Sequence, residues 1–311
     1  MRVVTDDEVR FFTPSYIPYF QALETAGIAV KDDGRDQSIM HSKYFIIDGS
    51  IVWTGSTNQS DNGYTLNHNS AIAFTSPSVA ALYQQDFDQM WAGSFSVNKT
   101  ASITTATTYN GNSLEVYFSP KNNAMNEVIA EVNAAQSTIE FAIFFFTDSA
   151  LKDALIAAKN RGVQIRGLWD SLGKASPFSM DEALCAAGIP IKIEDTAGKM
   201  HHKFMVIDAA GSDPRTVTGS MNWTGAGDEA NDESTIIYRD SAISLAYTAG
   251  FQTMWDALNA STQCEITPVK IRCWTGVPKL ALGFLRIFIL GAVPQAESVS
   301  SLYRISPNGI R

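Results

Sequence analysis

Two nine-residue stretches of the chain repeat one unusual pattern of polar residues. His41, Lys43 and Asp48 stand in "MHSKYFIID", and the same spacing returns in "MHHKFMVID" over 200–208. An imidazole that titrates near neutral pH can act as a nucleophile or as a general acid. Residues i and i+2 of a β-strand point to the same face, so each His projects together with its Lys. The Asp lies seven residues after the His, an odd number, so its side chain points to the other face of the strand. This predicts a scaffold role for the Asp.

A second pair of matching segments, Gly-Ser-x-Asn, follows these stretches. A Lys ammonium, an Asn amide and a Ser hydroxyl that converge on one point suit a phosphate group, whose charge is spread over several oxygens. A single His-x-Lys on a strand is usually a solvated pair, but two matched copies indicate a phosphodiester site. The candidate residues are His41, Lys43, Asp48, Ser56 and Asn58 in the first copy, and His201, Lys203, Asp208, Ser220 and Asn222 in the second.

The elements that position these residues are repeated as well. "ALETAGIAV" (22–30) matches "ALCAAGIPI" (183–191), and "FDQMW" (87–91) matches "FQTMW" (251–255). Repeats of this kind indicate copies of one structural unit. The chain is therefore predicted to contain two modules related by a pseudo-twofold axis, with the His-x-Lys segments facing each other.

The second copy reads as strands alternating with helices, which is typical of an α/β sandwich with a mixed sheet. Continuous apolar runs such as "STIEFAIFFF" (137–146) and "VQIRGLWD" (163–170) predict strands covered on both faces, with the aromatic rings in the core. The segment 149–162 predicts a helix that ends at Gly162, a frequent C-cap residue.

The first copy is shorter than the second. It begins at "RVVTD" (2–6), which corresponds to "RGLWD" (166–170), so about fifty residues of the second copy have no counterpart. A gene model that starts late and a degraded copy both remain open. The predicted domains are a first module lacking these residues (1–100), a linker (101–112), a complete second module (113–266) and a tail (267–311).

The tail differs from the rest of the chain in charge. From Pro268 onward it holds six basic residues and one acid, although the whole chain has a net charge of −9. Its apolar stretch 276–293 is interrupted by Lys279 and Arg286, which predicts peripheral membrane contact rather than a span. An interaction tail and a frameshift product both remain open. No signal peptide is evident at the start; an exported parent protein remains open, and localisation is not assigned.

The two His-x-Lys-x4-Asp segments with their Gly-Ser-x-Asn partners resemble the phospholipase D superfamily over about residues 1–260. The second module is most similar to the compact bacterial endonuclease and cardiolipin-hydrolase branch. The resemblance implies a single site without metal or cofactor. His41 and His201 would be the catalytic pair, one forming a phosphohistidine and the other acting as general acid and base. Lys43, Lys203 and the two Asn would bind the phosphate.

The resemblance also implies an acid after the Asn that orients the His. Glu233 in "NDES" occupies that place and is predicted to hold His201 in one tautomer, whereas "NHNS" puts Asn69 there in the first copy. An amide can orient an imidazole but does not stabilise an imidazolium by its charge. The two His residues should therefore differ in basicity, and which is the nucleophile stays open.

Three functions remain open at this stage. The favoured one is a metal-independent phosphodiesterase acting on a phospholipid headgroup, by hydrolysis or by transfer to an alcohol. An endonuclease is the alternative, which the net charge of −9 disfavours because nucleic acid binding needs a basic groove. The third is an inactive relic. If the first module is incomplete, a homodimer could supply the missing surface from a second chain.

Overall fold

The computed structural model describes residues 1–34, 38–100, 105–194 and 196–258. The predicted tail (267–311), with its proposed membrane contact, lies outside these ranges. Among the described helices, none is both long and apolar enough to cross a bilayer.

Thirteen strands are assigned in the described ranges: β1 (Arg2–Thr5), β2 (Ala29–Asp32), β3 (Tyr44–Ile47), β4 (Ile51–Gly55), β5 (Ala71–Thr75), β6 (Ala106–Tyr109), β7 (Asn112–Ser119), β8 (Thr138–Ile143), β9 (Gln164–Asp170), β10 (Ile191–Glu194), β11 (Lys203–Ile207), β12 (Arg215–Gly219) and β13 (Glu233–Tyr238). The α-helices of the same ranges are α1 (Ile17–Thr25), α2 (Asp61–Thr65), α3 (Pro77–Trp91), α4 (Ala124–Ala134), α5 (Ser149–Asn160), α6 (Ser171–Lys174), α7 (Asp181–Ala186), α8 (Gly225–Glu229) and α9 (Ser241–Ala257). A π-helical turn (Glu8–Phe12) and a 3-10 turn (Ser96–Asn98) complete the order.

The largest sheet has eight strands in the order β10-β9-β8-β11-β12-β13-β7-β6. Strands β8, β9 and β10 run parallel to one another, and the other neighbours are antiparallel. The mixed sheet predicted from the sequence is confirmed. The stretch predicted as a linker contains β6, which pairs with β7 at the edge of this sheet.

Strand β11 runs through the centre of this sheet, and all five of its residues are buried. Met205 and Ile207 pack on one face among apolar residues of α4 and α5, and Phe204 and Val206 pack on the other face against α9. This burial on both faces explains the continuous apolar sequence after Lys203. The helix predicted over 149–162 is α5, and Gly162 follows it with a φ of 101°.

The first module forms two smaller sheets, the parallel pair β1-β2 and the antiparallel β3-β4-β5. By sequence these strands correspond to β9-β10 and β11-β12-β13. In the second module β8 lies between β9 and β11, but the described part of the first module has no strand in that place. Phe45 and Ile47, which correspond to the buried Met205 and Ile207, are each 46% exposed. One face of β3 is therefore uncovered by the described residues.

Candidate active site

The two modules meet along the entries to β3 and β11. Met40 forms a parallel bridge with Asp232, and His68 forms another with Met200. The His41 N–H donates to the Asp232 carbonyl at 3.0 Å, and the His201 N–H donates to the His68 carbonyl at 2.9 Å. Each His therefore lies beside a segment of the opposite module, which holds its backbone.

The partner of His41 is Glu233. The imidazole Nδ1 lies 2.7 and 2.8 Å from the two carboxylate oxygens, and the Glu233 side chain is completely buried. The prediction that Glu233 orients His201 is therefore wrong. Glu233 begins β13, whose preceding residue Asp232 is bridged to Met40, so its side chain reaches across the module boundary.

The partner of His201 is Asn69, with Nδ1 at 2.8 Å from Oδ1. The Asn69 amide nitrogen donates to the Gly63 carbonyl at 2.9 Å, which fixes the oxygen toward the imidazole. Because that oxygen only accepts, His201 Nδ1 carries the proton and Nε2 keeps its lone pair. Each module therefore supplies the partner for the His of the other module. One His does have a carboxylate partner and the other an amide, as predicted, but the carboxylate belongs to His41 and the amide to His201.

The motif serines position these partners. The Ser220 hydroxyl donates to Glu233 Oε2 at 2.6 Å, and the Ser56 hydroxyl donates to Asn69 Oδ1 at 3.2 Å. Both serines are completely buried. The prediction that their hydroxyls converge on a phosphate is therefore wrong, because each is used within the protein.

The glycine before each serine is required by a close crossing of strands. Gly55 and Gly219 have φ values of 147° and 148°, in a region that other residues rarely adopt. A Cβ would lie 2.2 Å from the Ser70 carbonyl oxygen at Gly55, and 2.1 Å from that of Ser234 at Gly219. Because glycine has no side chain, each strand can approach its neighbour closely. The hydroxyl of the following serine then reaches its acceptor, Asn69 for Ser56 and Glu233 for Ser220.

Two buried ammonium groups accompany the imidazoles. Lys43 and Lys203 are 6% and 2% exposed, and each donates to the carbonyl oxygen of the His two residues before it. Burial lowers the pKa of Lys43 to about 8, against the opposing effect of Glu233. Burial and the charge of Lys43 hold the pKa of Lys203 well below its usual range. Two positive charges enclosed in the same site favour the binding of an anion there.

The same two lysines lower the pKa values of both imidazoles. Burial lowers the pKa of His41, an effect that Glu233 opposes and Lys43 strengthens. Burial lowers the pKa of His201 further, and Lys203, Lys43 and His41 add to it. His201 has no carboxylate to offset these charges, so it is the less basic of the two.

The amide side chains of Asn58 and Asn222 take part in none of the hydrogen bonds among the described residues, and Asn222 Oδ1 is buried without a partner. Both amides remain available to a ligand. The scaffold role predicted for the aspartates holds for Asp208, which accepts four hydrogen bonds of 2.7–2.9 Å from 136–138. Asp48 is exposed and has no such partners among the described residues.

The sequence did not predict that the aromatic ring of Phe144 would lie beside His201. Strand β8 ends at Ile143, so Phe144 leaves the sheet, and its ring lies 5.1 Å from the His201 ring. The ammonium groups of Lys203 and Lys199 lie 5.1 and 5.4 Å from the Phe144 centroid. Phe144 therefore borders the site, although the apolar run was predicted to be entirely core.

One cluster among the described residues has the composition of a metal site. Oxygens of Asp6, Asp7 and Asp33 lie within 4.8 Å of one another. Asp6 accepts from the backbone of the turn that follows it, and Asp33 accepts the N–H groups of Asp7 and Met40. These bonds hold the chain that leads to His41, so the cluster has a structural use.

Residues 1–91 and 128–255 match the family model described as "Cardiolipin synthase, PLD-like domain". The mitochondrial cardiolipin hydrolase of Xenopus laevis is 31% identical over 140 residues, which are 45% of this chain and 65% of that protein. A phospholipase D of Rickettsia bellii is 30% identical over 130 residues, or 42% of this chain and 63% of that protein. The chain thus spans less than two thirds of these relatives.

A solved structure has the same fold over a greater length. The phosphatidylserine synthase of Haemophilus influenzae superposes with a TM-score of 0.63 at 11% identity, covering 85% of this chain and 74% of the other. At this identity the comparison concerns the fold alone. The fold, the paired imidazoles and the family model agree with one another.

Proposed function

The chain belongs to the phospholipase D-like family, and on that premise we propose that it is a phosphodiesterase that works through a phosphohistidine. The reciprocal clamp on the two imidazoles carries the proposal. Each Nδ1 is held by an acceptor from the opposite module, which leaves each Nε2 for the substrate. Lys43 and Lys203 supply positive charge for the transition state without a metal.

The reaction has two balanced steps. In the first, the Nε2 lone pair of one imidazole attacks phosphorus, the bond to the leaving alcohol oxygen breaks, and the other imidazolium gives that oxygen a proton. In the second, the now neutral imidazole takes a proton from water, whose oxygen attacks phosphorus and breaks the P–N bond. Asn58 and Asn222 hold the nonbridging oxygens with the two lysines. An acceptor alcohol in place of water would give transfer instead of hydrolysis.

The unequal partners assign the roles of the two His residues. A phosphorylated imidazole that keeps its Nδ1 proton is a cation, and Glu233 stabilises that charge next to His41. The free His201 imidazole is neutral at Nε2, and the negative charge of the bound phosphodiester, which offsets the surrounding lysines, allows it to carry a second proton in the complex. Asn69 offers His201 no charge, so this imidazolium gives up its proton readily. His41 is therefore the nucleophile, and His201 is the general acid of the first step and the general base of the second.

A phospholipid headgroup is the proposed substrate. Relatives in the comparison are named cardiolipin hydrolase and phospholipase D, and the net charge of −9 suits a nucleic acid poorly. Peripheral membrane contact follows from a lipid substrate.

A second copy of the chain is the proposed cover for the exposed face of β3 at Phe45 and Ile47, and the mass of the protein in solution tests this.

The test uses bis(p-nitrophenyl) phosphate in EDTA, with release of p-nitrophenolate as the measurement. The wild type should turn over. His201→Asn should give a stoichiometric burst, because this leaving group needs little protonation, and mass spectrometry after an alkaline quench should find the adduct on His41. His41→Asn should give no burst, and His202→Asn, whose ring packs on Phe204, should keep turnover. Full turnover in either catalytic variant would refute the paired mechanism, and an adduct on His201 would reverse the roles.

A further inference from the structure

The segment that supplies Asn69 crosses from the first module to the second at His68. The His68 N–H donates to the Lys199 carbonyl at 2.9 Å, and the His68 carbonyl accepts the backbone N–H of His201 at 2.9 Å. The next residue, Asn69, accepts from the His201 imidazole at 2.8 Å. His68 therefore lies between the contact that holds the His201 backbone and the contact that holds the His201 ring.

The His68 side chain leaves this segment and contacts the second module. Its Nδ1 lies 2.9 and 3.0 Å from the two carboxylate oxygens of Glu194, the last residue of β10. Glu194 is buried, and one of its oxygens also accepts the Thr196 hydroxyl at 2.7 Å. An ionised carboxylate only accepts, so His68 Nδ1 carries a proton and donates it to this bond. The charge-assisted bond fastens the segment that carries Asn69 to the module that carries His201.

The opposite crossing is fastened by a different group. The matching segments "NHNS" and "NDES" place Asp232 where the first copy has His68. The Asp232 carbonyl accepts the His41 N–H at 3.0 Å, and the Asp232 carboxylate is paired with Lys99 at 2.9 Å. The His68 imidazole therefore acts on the His201 half of the site, and its removal leaves these contacts of the His41 half in place.

We propose that His68 is a positioning residue for His201. Its bond to Glu194 fixes Asn69, which in turn orients the His201 imidazole. This rests on the proposed function, in which His201 protonates the leaving alcohol and then activates water. His68 itself takes part in neither proton transfer.

The geometry of proton transfer gives the size of the effect. General acid–base catalysis needs its donor and acceptor within about 2.6–3.2 Å of each other, and a misplacement of about 1 Å can cost about a hundredfold in rate. The backbone bonds of His68 to Lys199 and His201 remain when the side chain is removed. The loss of the imidazole should therefore weaken the general acid without abolishing it.

Two diaryl phosphodiesters with different leaving groups test the proposal. p-Nitrophenolate leaves bis(p-nitrophenyl) phosphate with little protonation, whereas the more basic phenolate of diphenyl phosphate needs a proton from the general acid. His68→Ala should lower kcat/KM for diphenyl phosphate about tenfold and should change kcat/KM for bis(p-nitrophenyl) phosphate less than twofold. Release of phenol and of p-nitrophenolate is the measurement.

Further variants separate positioning from a loss of structure. His68→Asn should restore most of the lost activity, because its amide nitrogen takes the place of Nδ1 and can donate to Glu194. Thr65→Ala, at an exposed position on α2 of the same segment, should behave as the wild type. If thermal unfolding shows that His68→Ala does not fold, Glu194→Gln tests the same bond. It keeps an acceptor without the charge, and should lower kcat/KM about threefold on diphenyl phosphate alone.

The other outcomes decide against this role. An equal loss on both diesters would mean that His68 supports the whole site, and no loss on either would mean that Asn69 orients His201 without it. A wild type that cleaves bis(p-nitrophenyl) phosphate alone has no general acid for His68 to position. A wild type that cleaves neither diester contradicts the proposed function itself, which is a distinct result.

Discussion

The chemistry of the site depends on one atom opposite each Nδ1, a carboxylate oxygen at His41 and an amide oxygen at His201. The His41 imidazole is partly buried and the His201 imidazole is buried, and both lie among cations that disfavour their protonation. The Glu233 carboxylate compensates part of this at His41 only. In the proposed mechanism the two imidazoles alternate between neutral and charged forms, and this carboxylate gives the charge of the intermediate a preferred place at His41.

The Lys43 ammonium predicts an alkaline limit of activity. Burial lowers its pKa to about 8, so Lys43 is cationic below that pH and neutral above it. Binding of a phosphodiester anion needs the cation, and kcat/KM should therefore fall as pH rises through about 8. Lys43→Arg should move this limit upward at reduced turnover, because a guanidinium does not titrate in this range. A limit that stays near pH 8 in Lys43→Arg would assign it to another group.

At this scale the sequence predicted which residues meet at the site better than it predicted their hydrogen-bond partners. The His, Lys and Asn of each motif were singled out by type and spacing, and the family resemblance implied their catalytic roles. The pairing of Glu233 with His41 was missed because it depends on how one module docks on the other, which spacing within a module does not contain. Lys199 could have been noticed as a third cation beside "MHHK".

Periodicity predicted the elements where local signals were strong, as in α5, which is followed by Gly162. The end of β8 was not predictable, because apolar residues continue through Phe146 while the strand stops at Ile143. Phe146 returns to the core, and its ring packs on Trp223. Hydrophobicity alone does not distinguish a ring in the core from one that borders a site.

The two motif aspartates predict unequal effects on stability. Burial would raise the pKa of Asp208, but the N–H groups of 136–138 and the Ser137 hydroxyl hold it below its usual range. Asp208→Ala should lower the free energy of unfolding by about 2–4 kcal/mol, because it leaves these donors without an acceptor. Asp48→Ala is the matched control, because Asp48 is exposed but shares the left-handed φ of Asp208, 51° against 50°; it should lower the free energy of unfolding by only about 1 kcal/mol, the cost of Ala in that conformation.

Urea unfolding of both variants measures this difference. The stabilisation from Asp208 should be present above the carboxyl pKa of the unfolded chain and should be lost as the pH falls through the lower folded value. Equal stability of Asp208→Ala and Asp48→Ala would show that the loop before β8 holds β11 without this carboxylate.

Contacts other than those of His41 and His201 also join the two modules. His68 Nδ1 lies 3.0 Å from a Glu194 oxygen, which ties the loop carrying Asn69 to the end of β10. Near the end of the first module, the Ser96 N–H donates to Asp232 Oδ1 at 2.8 Å. The domain boundaries at 100 and 113 stay predictions, but these contacts indicate that the site requires both modules together.

Lys99 carries the strongest of these connections. Its ammonium lies 2.6 Å from Asp86 on α3 and 2.9 Å from Asp232, and at most 1% of each of the three side chains is exposed. Burial alone would lower the pKa of Lys99, but the two carboxylates raise it. Since the Asp232 carbonyl also holds the His41 N–H, this ion cluster connects the packing of the modules to the catalytic imidazole.

Lys99→Met should therefore lower the free energy of unfolding by about 3–5 kcal/mol, because it leaves two buried carboxylates facing each other without a cation. Burial already raises the pKa of the Asp86 carboxyl, and the loss of Lys99 raises it further above that of the unfolded chain, so the stability of the variant should be greater at pH 5 than at pH 8. Lys152→Met, which removes an ion pair with the exposed Asp153, should change the free energy of unfolding by less than about 0.5 kcal/mol. Thermal unfolding at both pH values measures this, and a Lys99→Met variant as stable as the wild type at pH 8 would show that the modules dock without the cluster.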